Sequence, residues 1–448
     1  MMTIHEFQEK LLSEAVNANF KEAEIFYKKT ESFQCMIFEG EIDTYETSVE
    51  GGLGFRGLHN GKMGYAYTEK IEEASIPFLI ESAIANADVL DEDDGTDIFE
   101  GSDSYNDHGF YSEELANIPT AEKIELIKSI EKKVLAYDPR ITTVNYCVLQ
   151  EFSEDRMMAN NKGLSLNEKK NGILVFISAV VKEGDEMKTG MTFEMTRDYQ
   201  SLDADRIAKE VAEEALSHLG EKSIPTKKYP VIMRYDAAAS LLATFTAIFS
   251  AENTQKDQSL LKGKVGTEIA SSVFTLIDDP FHAESIMGAN FDGEGVATKK
   301  QTIVSNGKLE TLLHNRKTAK KDGVETTGHA HKESYKGTLS VAPINLYIAP
   351  GVKSKQELIE SVEEGVLITD LAGLHSGAST ISGDFSVAAT GFYIKDGKVA
   401  SPVKQMTIAG NYYEYMKNIV ETGSDLEFAP GGFGSPSLLV KELSVTVD

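Results

Sequence analysis

Hydrophobic positions change period several times along the first half of the chain. Phe7, Leu11, Leu12 and Ala15 recur at helical spacing and predict a helix over residues 3–18. Residues 23–27, 32–37 and 44–49 then alternate apolar and polar, the period of half-exposed strands. The run Gly51-Gly52-Leu53-Gly54-Phe55-Arg56-Gly57 leads through His59-Asn60-Gly61-Lys62 to a further strand over 63–68. It holds neither Gly-x-x-x-x-Gly-Lys-Ser/Thr nor a Gly-x-Gly-x-x-Gly that opens a helix, so a β-hairpin with an Asn-Gly turn accounts for it better than a phosphate loop. A second helix is expected over 70–87, kinked or delayed by Pro77, and a third from Pro119-Thr120 to 136 with Ile124, Ile127, Ile130 and Val134 inward. Strands follow over 142–151, 156–159, 165–168, 173–181 and 191–196, with a hairpin turn at 160–163. Helix 204–219 ends at Gly220, placed to cap it.

The polar run 221–228, which contains Pro225, is the expected boundary. It divides an N-terminal α+β domain (1–222) from a C-terminal β-rich domain (223–448). Beyond it the strand-like runs are 229–233, 273–277, 301–304, 309–313, 345–349, 366–371 and 438–447. Asn306-Gly307 and Asp396-Gly397 are hairpin turn signals, the second joining residues 385–390 and 391–395 to the strand that follows. Only 239–250, 316–320, 355–364 and 412–420 read as helices. The fold class is α+β, its second half a large twisted sheet or partly closed barrel with helices on the rim. Gly377, Gly383 and Gly391 are dense for strand sequence and point to bulges or close backbone approach.

A length of 448 residues fits two domains, and 41% hydrophobic with 26% charged residues fits a soluble globular protein. No apolar run approaches the ~20 residues of a membrane span, and the first residues lack a signal peptide's basic start and apolar core. Cys35 and Cys147 both sit in apolar strand-like runs, as buried free thiols do. A cytoplasmic protein is expected. The formal net charge is −27, and no Lys or Arg lies between Lys70 and Lys123. Without a basic stripe to displace counterions, direct nucleic-acid binding is excluded from the expectations.

Candidate chemistry is sparse. The acidic run 91–97 fails EF-hand spacing twice, because Leu90 and Gly101 stand where acids are needed; it reads as a solvated loop. His329-x-His331, with His282 or His314, is the one candidate metal set. Its surroundings are loop-like and Lys332 beside it repels a cation, which favours exposed or structural histidines. Gly377-Ala378-Ser379-Thr380-Ile381 lacks the second glycine of a nucleophile elbow. Asp278-Asp279 and Asp292/Glu294 each neighbour a turn signal and read as loop carboxylates.

The stretch 379–411 carries a more specific signal. Ser382-Gly383-Asp384-Phe385-Ser386, then Ala389-x-Gly391-Phe392-x-Ile394, Asp396-Gly397-Lys398, Pro402-Val403-Lys404 and Gly410-Asn411 resemble the C-terminal domain of the TldD/PmbA family. The resemblance extends over essentially the whole chain. Members are described as subunits of a bacterial metalloprotease and as modulators of DNA gyrase. In the TldD-type branch a helix bears His-Glu-x-x-x-His, which holds zinc with a water-activating Glu. The matching positions here are Ala243, Thr244, Phe245, Thr246, Ala247 and Ile248, and the family's C-terminal Cys ligand has no counterpart in 428–436. This pattern resembles the PmbA/TldE branch, the non-metal-binding partner.

The resemblance therefore implies no catalytic residue and no metal in this chain, with zinc in a TldD-type partner subunit and unfolded peptide as substrate. A homodimer remains open. Gly383, Asp384, Ser386 and Asn411 are the implied peptide-binding candidates, Gly383 admitting a peptide backbone at a sheet edge and the polar three orienting it. A peptidase acting alone through another site, or a protein-level modulator of gyrase, are the competing readings.

Overall fold

The computed structural model describes residues 2–89 and 97–447. Most of the acidic run expected as a solvated loop, 91–96, lies outside the described residues.

The N-terminal half is a six-stranded antiparallel sheet in the order β3-β2-β1-β4-β5-β6. Its strands are β1 (Glu22–Phe38), β2 (Glu41–His59), β3 (Lys62–Thr68), β4 (Ile141–Asn160), β5 (Ser165–Glu183) and β6 (Glu186–Thr196). The sequence pattern breaks β1, β4 and β5 into shorter pieces, but the structure runs each one through. Polar residues interrupt the apolar alternation because they pair with one another across strands. Lys28 faces Arg156, which faces Glu168. Glu154 takes Lys28 at 2.9 Å and Lys170 at 3.1 Å, and Arg156 takes Glu168 at 2.8 Å. Burial alone would raise the Glu154 carboxyl, but these cations bring it down to about 2. The glycine-rich run 51–57 lies inside β2 and not at a turn. Its Asn60-Gly61 hairpin has positive φ at both residues, as the sequence implied.

One face of this sheet carries helices α1 (Ile4–Asn17), α2 (Ser75–Asp88), α3 (Thr120–Tyr137) and α4 (Ala204–Ser217). Phe7, Leu11, Ile25, Leu53 and Leu79 form one core beneath them, and Ile127, Val134, Cys147, Ile177 and Val211 form another. Cys35 and Cys147 are buried free thiols. Helix α2 begins at Ser75 and not at 70, so Pro77 falls in its first turn, where a missing N–H costs nothing. It lies so close to β3 that a Cβ on Gly64 would come within 1.9 Å of the Ala83 carbonyl. Helix α4 packs against β6 in the same way. Strand β3 pairs with β2 only over Leu53–His59, leaving residues 41–51 of β2 with one neighbour, β1.

The C-terminal half is built on β7 (Lys227–Met233), β8 (Glu364–Ala372), β9 (Asp384–Lys395), β10 (Met406–Asn411) and β11 (Leu438–Val447). They run in the order β8-β7-β11-β10-β9, and a further β8–β9 pairing closes them into a partly closed barrel. Val231, Val366, Val387, Ile408 and Val440 share a core with helix α5 (Tyr235–Phe245). Six short strands make a second sheet alongside.

Three helices are shorter than the pattern suggests. The one expected at 239–250 becomes α5 followed by a 3-10 turn, Thr246–Phe249. The one at 355–364 stops at Glu360 and the one at 412–420 at Lys417, where strands Glu364–Ala372 and Ile419–Thr422 claim the backbone. The strand expected at 309–313 is reduced to Lys308–Leu309.

Candidate functional site

The peptide-binding candidates come together where β9 starts and β10 ends. Asp384 faces Asn411 across the two strands. Asn411 caps the helix Tyr412–Lys417, its Oδ1 accepting from the Tyr413 N–H at 3.1 Å and the Glu414 N–H at 3.4 Å. Its Nδ2 donates to the Ser382 carbonyl at 2.8 Å and to Asp384 Oδ1 at 2.9 Å. Side-chain hydrogen bonds from Asn411 first and Ser382 second hold the Asp384 carboxyl below its ordinary range. Gly383 is left-handed (φ +84°), and a Cβ there would fall 2.5 Å from the Tyr413 ring. The backbone at this point is engaged on both sides: the Gly383 carbonyl accepts from Tyr412 N–H and the Asp384 carbonyl from Ser379 N–H. Asp384 and Ser386 turn their side chains to the exposed face of β9.

His329 and His331 do not share a site. His329 is buried, its Nε2 2.9 Å from Asp278 Oδ2 and its Nδ1 2.8 Å from Thr327 Oγ1. His331 is exposed among Lys28, Lys170 and Arg156, and burial of its surroundings with Lys28 lowers its basicity. His282 packs on Tyr347 and Phe428. Among the described residues no three of His, Cys, Asp and Glu gather as a metal-holding group.

Helix α5 and its 3-10 extension carry Ala243 to Ile248. Phe245 and Ile248 are buried, and Phe245 stacks on Tyr412 at 4.5 Å. Thr244 donates back to the Ser240 carbonyl at 2.9 Å. The strand Phe433–Ser435 packs against this helix, following Gly431 and Gly432, both with positive φ.

Sequence reading missed a buried set of charges where the loops of the C-terminal half cover the N-terminal sheet. Glu24 and Arg56 pair in two contacts, 2.7 and 3.1 Å, almost wholly buried. Above them lie Asp292 and Glu294, expected as loop carboxylates. They are in a loop, but buried. Asp292 accepts from the backbone of Glu294, Val296 and Ala330, and Glu294 accepts from the Arg316 N–H at 2.8 Å. Burial first and Asp292 second push Glu294 up to about 7. Lys332 lies 4.8 Å over the Phe26 ring, and burial, then Arg56, bring it down to about 8. The glutamates of β1 alternate with apolar residues, but nothing local in the sequence announces partners so distant along the chain.

The described residues include no helix long and apolar enough to cross a membrane. Comparison with known proteins matches three consecutive domains. These are PmbA/TldA metallopeptidase domain 1 over residues 23–87, the central domain over 113–219 and the C-terminal domain over 226–447. Two relatives come from Haemophilus influenzae. The Metalloprotease PmbA homolog is 25% identical over 90% of this chain and 88% of its own, and the Metalloprotease TldD homolog 25% over 95% and 93%. A Thermotoga maritima crystal structure, described as a candidate modulator of a DNA gyrase, is 32% identical over 99% of this chain and all (100%) of that one, with a TM-score of 0.93. TldE from Thermococcus kodakarensis shares the fold at 24% identity, TM-score 0.91, covering 98% and 100% of the two chains.

Proposed function

Because this chain belongs to the PmbA/TldD metallopeptidase family, we propose that it is the peptide-holding, non-metal subunit of a two-component peptidase. A TldD-type partner supplies the zinc. One observation carries the reading. Where the TldD-type branch presents His-Glu-x-x-x-His, this chain presents Ala243, Thr244, Phe245, Thr246, Ala247 and Ile248. These offer no imidazole, thiolate or carboxylate, so the donor set does not fit zinc, and no hydrolytic step is assigned to a metal here. That one bacterium, Haemophilus influenzae, carries relatives of both names fits a pair of unlike subunits.

This chain's own contribution is to bind and orient unfolded peptide. Asp384 and Ser386 offer a carboxylate and a hydroxyl on the open face of β9, with Asn411 fixing the carboxylate's position. Strand addition at Gly383 itself requires the backbone around Ser379 to move aside, since it already donates to the Asp384 carbonyl. Two unpaired thiols support a cytoplasmic setting for the complex.

The test is co-expression with a TldD-type subunit. Co-purification, and hydrolysis of unfolded peptide by the pair but by neither chain alone, is the expected result. Hydrolysis by this chain alone, or failure of the pair to assemble, overturns the proposal.

A further inference from the structure

Helices α2 and α4 cover one face of the N-terminal sheet, packing on its outer strands β3 and β6. Helix α4 lies along β6, and α2 lies along β3 so tightly that Gly64 has no room for a side chain. Strand β2 runs on past β3, and that stretch of its own edge stays open. Residues 41–51 of β2, Glu-Ile-Asp-Thr-Tyr-Glu-Thr-Ser-Val-Glu-Gly, pair only with β1. At ~3.4 Å per residue this is an edge of roughly 35 Å. Natural edges of that length are blunted by lysine, proline, bulges or a covering element. This stretch has no lysine and no proline; a bulge interrupts its register with β1 at Asp43, and from Thr44 to Gly51 the register is regular. Nearly every residue in it is exposed, including Tyr45 at 55% and Val49 at 67%.

We propose that the free edge of β2 takes up a basic, extended peptide segment as an added strand. The proposal rests on the peptide-handling reading above and names the class of peptide. Charge selects the occupant. Glu41, Asp43, Glu46 and Glu50 lie on this edge with no basic residue among them, in a chain of net charge −27. A second copy pairing here would bring the same carboxylates together in one ribbon, which like-charge repulsion disfavours. A strand carrying Lys or Arg meets them favourably and is steered in by the field of the whole molecule.

Alternation refines the prediction. Tyr45, Thr47 and Val49 point to one face, and Glu46, Ser48 and Glu50 to the other. The fitting peptide therefore alternates basic with apolar or β-branched residues. Main-chain bonds give affinity and alternate side chains give choice, as in other strand-addition sites.

The experiment uses the full chain without any partner subunit. A fluorescent ten-residue peptide alternating Lys with Val and Thr is titrated by anisotropy, beside the same peptide with Glu for Lys and one N-methylated at alternate residues. Hydrogen exchange follows the amides of 41–51. The basic peptide is expected to bind and to protect those amides. Binding should fall by about tenfold or more with the acidic peptide, with N-methylation, and in the chain carrying Glu46→Lys and Glu50→Lys. Equal binding after N-methylation, or unchanged exchange at 41–51, overturns the proposal, and these need no variant to fold. Self-association through these residues, lost in the double variant, also overturns it by giving the edge to a second copy. Failure here leaves the subunit reading intact, because that reading depends on co-purification with a TldD-type chain.

Discussion

His329 Nε2 lies 2.9 Å from Asp278 Oδ2, and neither side chain is more than 2% exposed. Each partner is tied in further. Asp278 Oδ1 accepts from the backbone N–H groups of Ile344 and Asn345, and the other His329 ring nitrogen meets Thr327 Oγ1. The pair thus joins the strand Leu276–Asp278 to the loop before Leu346 and to the segment at 327–331. Removing one partner leaves the other's buried polar group short of a hydrogen bond, a loss of ~1–3 kcal/mol. His329→Ala is expected to lower the urea midpoint accordingly, whereas His331→Ala, at an exposed ring, is expected to leave it nearly unchanged. Equal effects from the two substitutions would show that burial of His329 does not matter to the fold.

Gly383 combines a left-handed backbone with a crowded Cβ position. Gly383→Ala meets both the Tyr413 ring and Asn411 Nδ2, at 2.5 and 3.1 Å. The backbone alone costs about 1–2 kcal/mol, and the ring must also shift. Gly383→Val is expected to cost more than Gly383→Ala in thermal unfolding. Asp384→Ala and Ser386→Ala, on the exposed face, are expected to change stability by less than about 1 kcal/mol. If they also leave peptide processing by the assembled pair unaltered, that face of β9 does not hold peptide.

The turns were legible because their chemistry is local. Asn60-Gly61, Asn306-Gly307 and Asp396-Gly397 all adopt positive φ, as two-residue hairpins of the right twist require. The boundary between shorter and longer strands was not. The charges at 28–31, 153–156 and 167–170 look like interruptions until Lys28, Glu154, Arg156, Glu168 and Lys170 are seen to satisfy one another across strands. Helix ends failed for a related reason. The helical period continues past Glu360 and Lys417, but the following backbone is taken by sheet partners far away in sequence. For the candidate site, residues 382–386 and Asn411 are joined by a cap and a strand pair, both readable in part. The buried set around Arg56 and Glu294 joins residues more than two hundred positions apart, which no local pattern encodes.

Metal content gives a further prediction. The isolated chain is expected to hold far less than one zinc per molecule after dialysis, since Ala243–Ile248 supplies no ligand. The assembled pair is expected to hold zinc in the TldD-type subunit and to lose activity to a chelator. Stoichiometric zinc on this chain, abolished by His329→Ala or His331→Ala, would return those histidines to the status of ligands.

The pH dependence of stability follows from Glu294 and Lys332, whose shifts act in separate windows. Glu294 is raised from 4.5 to about 7 by burial and by Asp292. Between those values the folded chain holds a proton that the unfolded chain has lost, so Glu294 makes stability fall as pH rises from about 4.5 to about 7. At ~1.4 kcal/mol per pKa unit, the ceiling on this effect is roughly 3 kcal/mol. Lys332 is lowered from 10.5 to about 8 by burial and by Arg56. Between those values the unfolded chain holds the extra proton, so Lys332 makes stability rise as pH goes from about 8 to about 10.5. Urea unfolding of the native chain, Glu294→Gln and Lys332→Met across pH 4.5–10.5 separates the two. Glutamine keeps an acceptor for the Arg316 N–H, so the Glu294→Gln curve should lack the decline below 7 while matching the native curve's shape above 8. Lys332→Met should keep the decline and lack the rise. Curves for all three that run parallel throughout would mean that neither group is buried as a charge between the two halves of the molecule.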